Sequence, residues 1–166
     1  AEFAHERLLT PRPGAAPAGA APAAGARWAA VASDDGAVTY RFAARVRALE
    51  HWQIDAASIT RHRDGGELPL DAVDLVLDLR ASLGLSDRVL PVYLEEITST
   101  LAGIAYKLDR PPVTAKELAV ADFQTIETSM TEGHPCFVAN NGRLGFGIDE
   151  YHRYAPEAGR PVRLVW

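Results

Sequence analysis

LPVYLEEITSTLAGIAYKL, residues 90–108, sets Leu94, Ile97, Leu101, Ile104 and Leu108 at steps of three and four. That spacing predicts an α-helix with an apolar stripe along one side, and such a stripe must pack on something. Pro91 suits a first helical turn, where its missing N–H is no loss, and Asp109 to Pro112 ends the helix. The opposite face carries Glu95, Glu96, Thr98 and Ser99. Adjacent helical positions diverge by about 100°, so the two carboxylates read as a solvated face, not as an acid–base pair.

Upstream the period changes from helical to two. Trp28 and Val31 precede an Asp34-Asp35-Gly36 turn, and Val38, Tyr40 and Phe42 then alternate with Thr39 and Arg41, which predicts a β-hairpin. Extended character continues through Val46, Trp52 and Ile54, and Ile59–His62 and Glu67-Leu68 flank an Asp64-Gly65-Gly66 turn. The expectation is an antiparallel sheet of four or five strands. Arg41, Arg45 and Arg47 fall at alternate positions and read as one solvated face, and His51 and His62 read as surface residues. Before the sheet, residues 11–26 are almost wholly Ala, Pro and Gly, a composition that denies both helix and strand and reads as a mobile loop. Between sheet and long helix, Asp71 opens a helix with Val73, Val76, Leu77 and Leu83 inward, and Gly84 closes it.

Downstream, Thr114 and Glu117 form a capping box that starts a third helix carrying Leu118, Phe123, Ile126 and Met130 on one side. It runs into SMTEGHPCFVANNGRLGF, residues 129–146, where small, polar and turn-forming residues concentrate. Backbone N–H groups freed by Gly133 and Gly142, the hydroxyls of Ser129 and Thr131, the His134 imidazole and the Arg143 guanidinium are the donor inventory of a phosphate pocket. The competing reading makes Asn141-Gly142 a hairpin turn between Cys136–Ala139 and Arg143–Ile148. Asp149 to Arg153 predicts one or two helical turns, Tyr154 to Glu157 a helix stop, and Pro161 to Trp166 a final strand. The architecture expected is α+β: a small antiparallel sheet, a three-helix cluster and a polar loop that carries the candidate phosphate pocket.

A chain of 166 residues with 48% hydrophobic content can bury one core of ordinary size. Its net charge of −5 argues against nucleic-acid and anionic-membrane partners, which call for a basic stripe. The single cysteine makes no internal disulfide, and the composition predicts a soluble protein of the reducing cytoplasm. Ala1 on a helical spacing and a strand that stops at Trp166 suggest an N-terminal fragment, one domain over residues 1–166.

Three separated segments, LPVYLEEITSTLAGIAYKL (90–108), DFQTIETSMTEGHP (122–135) and YAPEAGRPVRLVW (154–166), together resemble the siderophore synthetases that work independently of nonribosomal peptide synthetases. The resemblance is to the aerobactin-synthetase type, and within it to the desferrioxamine branch. It implies an ATP-dependent ligase that adenylates a carboxylate and then joins it to an amine or hydroxylamine. By resemblance, Ser129 and Thr131 bond phosphate or ribose, His134 reaches the triphosphate, Arg143 pairs with phosphate oxygens, and Gly133 and Asn141 complete the ATP site. Magnesium is implied with the nucleotide, and its ligands and the catalytic residues are expected beyond Trp166. A homodimer of the full-length enzyme and an N-hydroxy-N-succinyl diamine substrate are implied as well. Many members place a second His-Pro and a lysine where this chain has Phe137-Val138 and Asn141, so the site has one cation fewer. Two alternatives stand beside this: a zinc or redox site on His134, Cys136 and His152, and a non-catalytic interaction domain docking through the long helix.

Overall fold

The computed structural model describes residues 2–17, 19, 21–129, 142–161, 163 and 165. The chain divides into two compact units, residues 1–91 and 92–166.

The first unit is built on a six-stranded antiparallel sheet: β1 (Arg12–Pro13), β2 (Arg27–Ala32), β3 (Val38–Val46), β4 (Trp52–Ile54), β5 (Thr60–Arg63) and β6 (Gly66–Leu68). Strand β3 is the spine. It pairs with β2 on one edge and, on the other, with β5 through Val38–Arg41 and with β4 through Ala44–Val46. Its alternation puts Val38, Tyr40, Phe42 and Ala44 on the buried face, where Phe42 and Ala44 meet Ala29, Val31, Trp52, Ile54 and Ile59. The Asp34-Asp35-Gly36 turn forms as expected, with the Gly36 N–H donating to the Ser33 carbonyl at a φ of +73° that glycine accepts without strain.

Residues 11–26 depart from a structureless loop at one point. Arg12 and Pro13 pair with Ala30 and Ala29 as an edge strand, the position where proline is tolerated. The next residue is glycine of necessity, since a Cβ on Gly14 would lie 2.8 Å from the Ala29 carbonyl carbon. Before this strand lies a single helical turn, α1 (Glu2–His5).

Helix α2 (Ala72–Asp78) is capped by Asp71, whose side chain accepts from the N–H groups of Val73 and Asp74. Its inward residues are Val76 and Leu79, while Leu77 faces solvent. The expectation for Leu77 fails because it sits one residue, about 100° of helix, from Val76 and nearly opposite Leu79, away from the side those two bury; after Leu79 the backbone continues in looser turns. Gly84, at φ +69°, ends these turns in a Schellman motif: Leu85 N–H to the Arg80 carbonyl, Gly84 N–H to that of Ala81. Arg61 on β5 reaches Asp74 at 2.6 Å and Asp78 at 2.9 Å, and the Tyr40 hydroxyl donates to Asp78 at 2.6 Å. Burial, and after it the Asp78 carboxylate, push the Tyr40 hydroxyl well above its ordinary ionisation range, so it remains a donor. Asp34 then accepts from the backbone of Ala81 and Ser82, tying the hairpin turn to the turns after α2.

The long helix α3 (Leu90–Leu108) has the predicted limits. Its buried line is different: Ile97, Thr100, Gly103 and Tyr106, at steps of three. Leu101 is 45% exposed and Leu108 79%. At the C-terminal end of this line α6 (Ile148–Tyr154) packs, Tyr151 against Tyr106 at 5.4 Å between ring centres. The third helix is divided into α4 (Ala115–Leu118), with the Thr114–Glu117 capping box in place, and α5 (Phe123–Thr128), capped afresh by Asp122. Phe123 is 69% exposed, so the apolar side predicted for one continuous helix does not form. Residues 143–148 form a turn and the start of α6 instead of a strand, and the described residues of 161–166 lie in no strand.

Candidate functional site

Of the six residues singled out for a nucleotide site, Ser129 and Arg143 are described; Thr131, Gly133, His134 and Asn141 lie outside the described residues. The same holds for Asn141 of the hairpin turn and its Cys136–Ala139 arm, and for His134 and Cys136 of the zinc alternative. Among the described residues no group of three His, Cys, Asp or Glu side chains is placed to hold a metal ion. No helix among them is long and apolar enough to cross a membrane.

Ser129 ends α5. Its N–H donates to the Thr125 carbonyl at 3.1 Å, and the residue lines a cavity of about 460 Å3 in the second unit. Ile104, Leu108 and Pro111 give this cavity apolar wall, and Arg110, Thr128 and Glu157 give it polar groups. That mixture, mostly apolar with a few convergent polar side chains, is the usual character of a small-molecule site.

Arg143 is held from three elements. Its backbone N–H donates to the Ser99 hydroxyl on α3 at 2.7 Å. Its Nη2 donates to Oε1 of Glu157 at 2.8 Å, in the tight turn Pro156–Ala158 that follows α6. Its guanidinium lies 5.3 Å from the ring centre of Tyr151 on α6, within cation–π range. Burial works against the charge, and the Glu157 ion pair, helped by the Tyr151 side chain, outweighs it, keeping the guanidinium above even its ordinary high range. Glu157 joins the two described candidates, for it lines the cavity of Ser129 and bonds Arg143.

The local sequence explains this placement. Arg143 to Phe146 close a four-residue turn, Phe146 N–H to Arg143 carbonyl at 3.1 Å, with Gly145 at φ +79° in the third position. This delivers Phe146 edge-on to Tyr151, 5.7 Å between centres. Gly147 then starts α6, its N–H bonded to Glu150 at 3.0 Å. Arg110 fixes the Glu157 turn by donating to the Glu157 carbonyl, and its other Nη donates to the Tyr106 hydroxyl at 2.6 Å.

Sequence reasoning missed Glu157, Ser99 and Arg110. A carboxylate fourteen residues from Arg143 inside a Tyr-Ala-Pro-Glu stop gives no periodic signal, and Ser99 belonged to a face read as solvated. One signal was present: Glu157 is the first acid after α6, in the turn that follows it.

Residues 122–166 match the model of the IucA / IucC family. Across 165 residues the chain is 46% identical to a putrebactin synthase of Shewanella sp. (strain MR-4), covering 99% of this chain and 25% of that protein. An aerobactin synthase of Vibrio mimicus is 37% identical over 76% of the chain and 22% of its own length. Among solved structures, the aerobactin synthetase IucC of Klebsiella pneumoniae superposes with a TM-score of 0.71 at 25% identity, over 94% of this chain and 26% of that one. The chain therefore spans about a quarter of the length of these relatives.

Proposed function

Because this chain belongs to the IucA / IucC family, we propose that it supplies one wall of the ATP site in a siderophore synthetase that forms amide bonds. In that reaction a carboxylate oxygen attacks the α-phosphorus of ATP and pyrophosphate leaves. An amine or hydroxylamine nitrogen then attacks the acyl carbon, and AMP leaves. The substrate class in this reading is an N-hydroxy-N-succinyl diamine of the desferrioxamine branch, joined head to tail and finally cyclised. In this reading the enzyme is a cytoplasmic homodimer, and magnesium bound with ATP would neutralise phosphate charge, held by ligands outside residues 1–166.

The observation that carries the proposal is the held guanidinium of Arg143, joined through Glu157 to the cavity that Ser129 lines. An immobilised, planar fork with a single bond to its carboxylate partner suits phosphate oxygens, and preorganised donors are what phosphoryl transfer needs most. The Ser129 and Thr131 hydroxyls, the Gly133 N–H, His134 and Asn141 make up the rest of the donor set.

A calorimetric ATP titration of the full-length protein tests this reading. Arg143→Ala weakens ATP binding by about ten- to a hundredfold, the loss of one charge-assisted hydrogen bond. Arg143→Lys recovers only part, since lysine keeps the charge without the fork. Unchanged affinity in Arg143→Ala would overturn the phosphate-binding role. The outward Leu101, Ile104 and Leu108 of α3 favour a second reading, an interaction domain. Full activity after substitution of both His134 and Arg143 would support that one instead.

A further inference from the structure

Building on the phosphate-facing reading of Arg143, we propose that Glu157 is a positioning residue of the nucleotide site, holding the guanidinium in place before ATP arrives. Arginine is long and flexible, and one left loose must be ordered on binding, which weakens the affinity it can give. Here the backbone of Arg143 is pinned by Ser99 at 2.7 Å and its far end by Glu157 at 2.8 Å, with Tyr151 beneath the guanidinium. The clamp is itself clamped. The Glu157 side chain is only 10% exposed, and its carbonyl is gripped by Arg110, whose guanidinium stacks on Tyr106 at 4.6 Å.

Two features separate this pair from one that serves cohesion alone. The bond is single-pronged, Nη2 to Oε1, where an arginine and a carboxylate closed on each other would form two parallel bonds. Nη2 is the donor committed to Glu157, and the Tyr151 side chain engages the guanidinium as well, so an anion would meet the fork's other donors. In addition, Oε2 of Glu157 is buried and, among the described residues, has no hydrogen-bond partner.

The test is a double-mutant cycle on the full-length protein, with ATP affinity read by calorimetry and melting temperature measured alongside. Glu157→Ala weakens ATP binding by about three- to tenfold, less than Arg143→Ala, because the guanidinium survives but is no longer held. Glu157→Gln, which keeps an acceptor of the same shape, recovers part of that loss and keeps the assay informative where Glu157→Ala folds poorly. In the Arg143→Ala background, Glu157→Ala adds no further loss. Equal losses from Glu157→Ala with and without Arg143 would overturn the proposal. So would a lowered melting temperature with unchanged ATP affinity in both Glu157 variants. If Arg143→Ala itself leaves affinity intact, the phosphate reading beneath it fails, an outcome distinct from a Glu157 failure.

Discussion

Each unit of the chain sets an arginine against carboxylate and tyrosine, and the two arrangements differ in what they leave open. In the sheet unit, Arg61 is buried and binds two carboxylates, Asp74 and Asp78, while the Tyr40 hydroxyl takes up Asp78 as well. In the helical unit, the Arg143 side chain stays 30% exposed and binds one oxygen of one carboxylate. The first cluster is closed and ties α2 to β3 and β5. The second is braced and still accessible. Like components thus close a cluster in one unit and, in the other, hold a cation that stays partly open to solvent.

The contrast is broken most directly at Arg61. Arg61→Ala leaves two carboxylates of α2 without their cation, and removing one partner of a buried pair typically costs about 3–5 kcal/mol. Denaturant unfolding monitored on the sheet unit measures it. A loss below about 1 kcal/mol would mean that Arg61, like an ordinary surface ion pair, contributes little.

A second pair of substitutions compares apolar burial. Leu79 is 1% exposed, and Leu79→Ala should cost about 2–5 kcal/mol through lost transfer energy and the cavity left behind. The sequence stripe of α3 made Leu101 an equal candidate for such a loss. With 45% of it in solvent, Leu101→Ala should instead change stability by no more than about 0.5 kcal/mol. Melting curves of the two variants rank them. A large loss at Leu101 would show that its outward face is covered in the protein in solution.

These cases also mark how far residue pattern alone reaches. The hairpin of β2 and β3 was legible because its alternation and its Asp-Asp-Gly turn agree. The limits of α3 were legible because Pro91 and the Asp109–Pro112 break are local signals. Its buried line was not, since Thr100 and Gly103 lie on it and hydropathy gives them little weight. The division of the third helix turns on Asp122, which accepts from the Thr125 N–H at 2.7 Å and starts a new helix; an acid within an otherwise helical run hides that choice. At the site, Ser129 and Arg143 stand out as donors by type alone. The carboxylate that holds Arg143 is set by tertiary packing of α6 and the turn after it, which no spacing encodes.

The smallest expected effect lies at the helix caps, and it sharpens the comparison between units. Asp71 caps α2, a helix also held by Arg61, whereas α4 has four residues, none of them buried, and leans on its capping box. Thr114→Ala should cost about 0.5–2 kcal/mol locally. Amide hydrogen exchange reads this as faster exchange at Leu118 and Ala119, whose N–H groups close the turn, with Leu79 unchanged. Acid acts on the same device. The Glu117 carboxylate accepts from the Thr114 backbone at 2.8 Å and from its hydroxyl at 2.7 Å, which holds it below its ordinary value of 4.5. A depressed carboxylate contributes stability that is fully present above that value and is lost as pH falls through the lower folded one. Protection at Leu118 and Ala119 should therefore decline below about pH 4.5, while Glu117→Gln, with no charge to lose, removes that part of the decline. Asp122, depressed in the same way by the Thr125 N–H, adds a parallel loss in α5 at lower pH. Acid protection at Leu118 that is identical in Glu117→Gln and the unaltered protein would show that the capping carboxylate does not govern this helix.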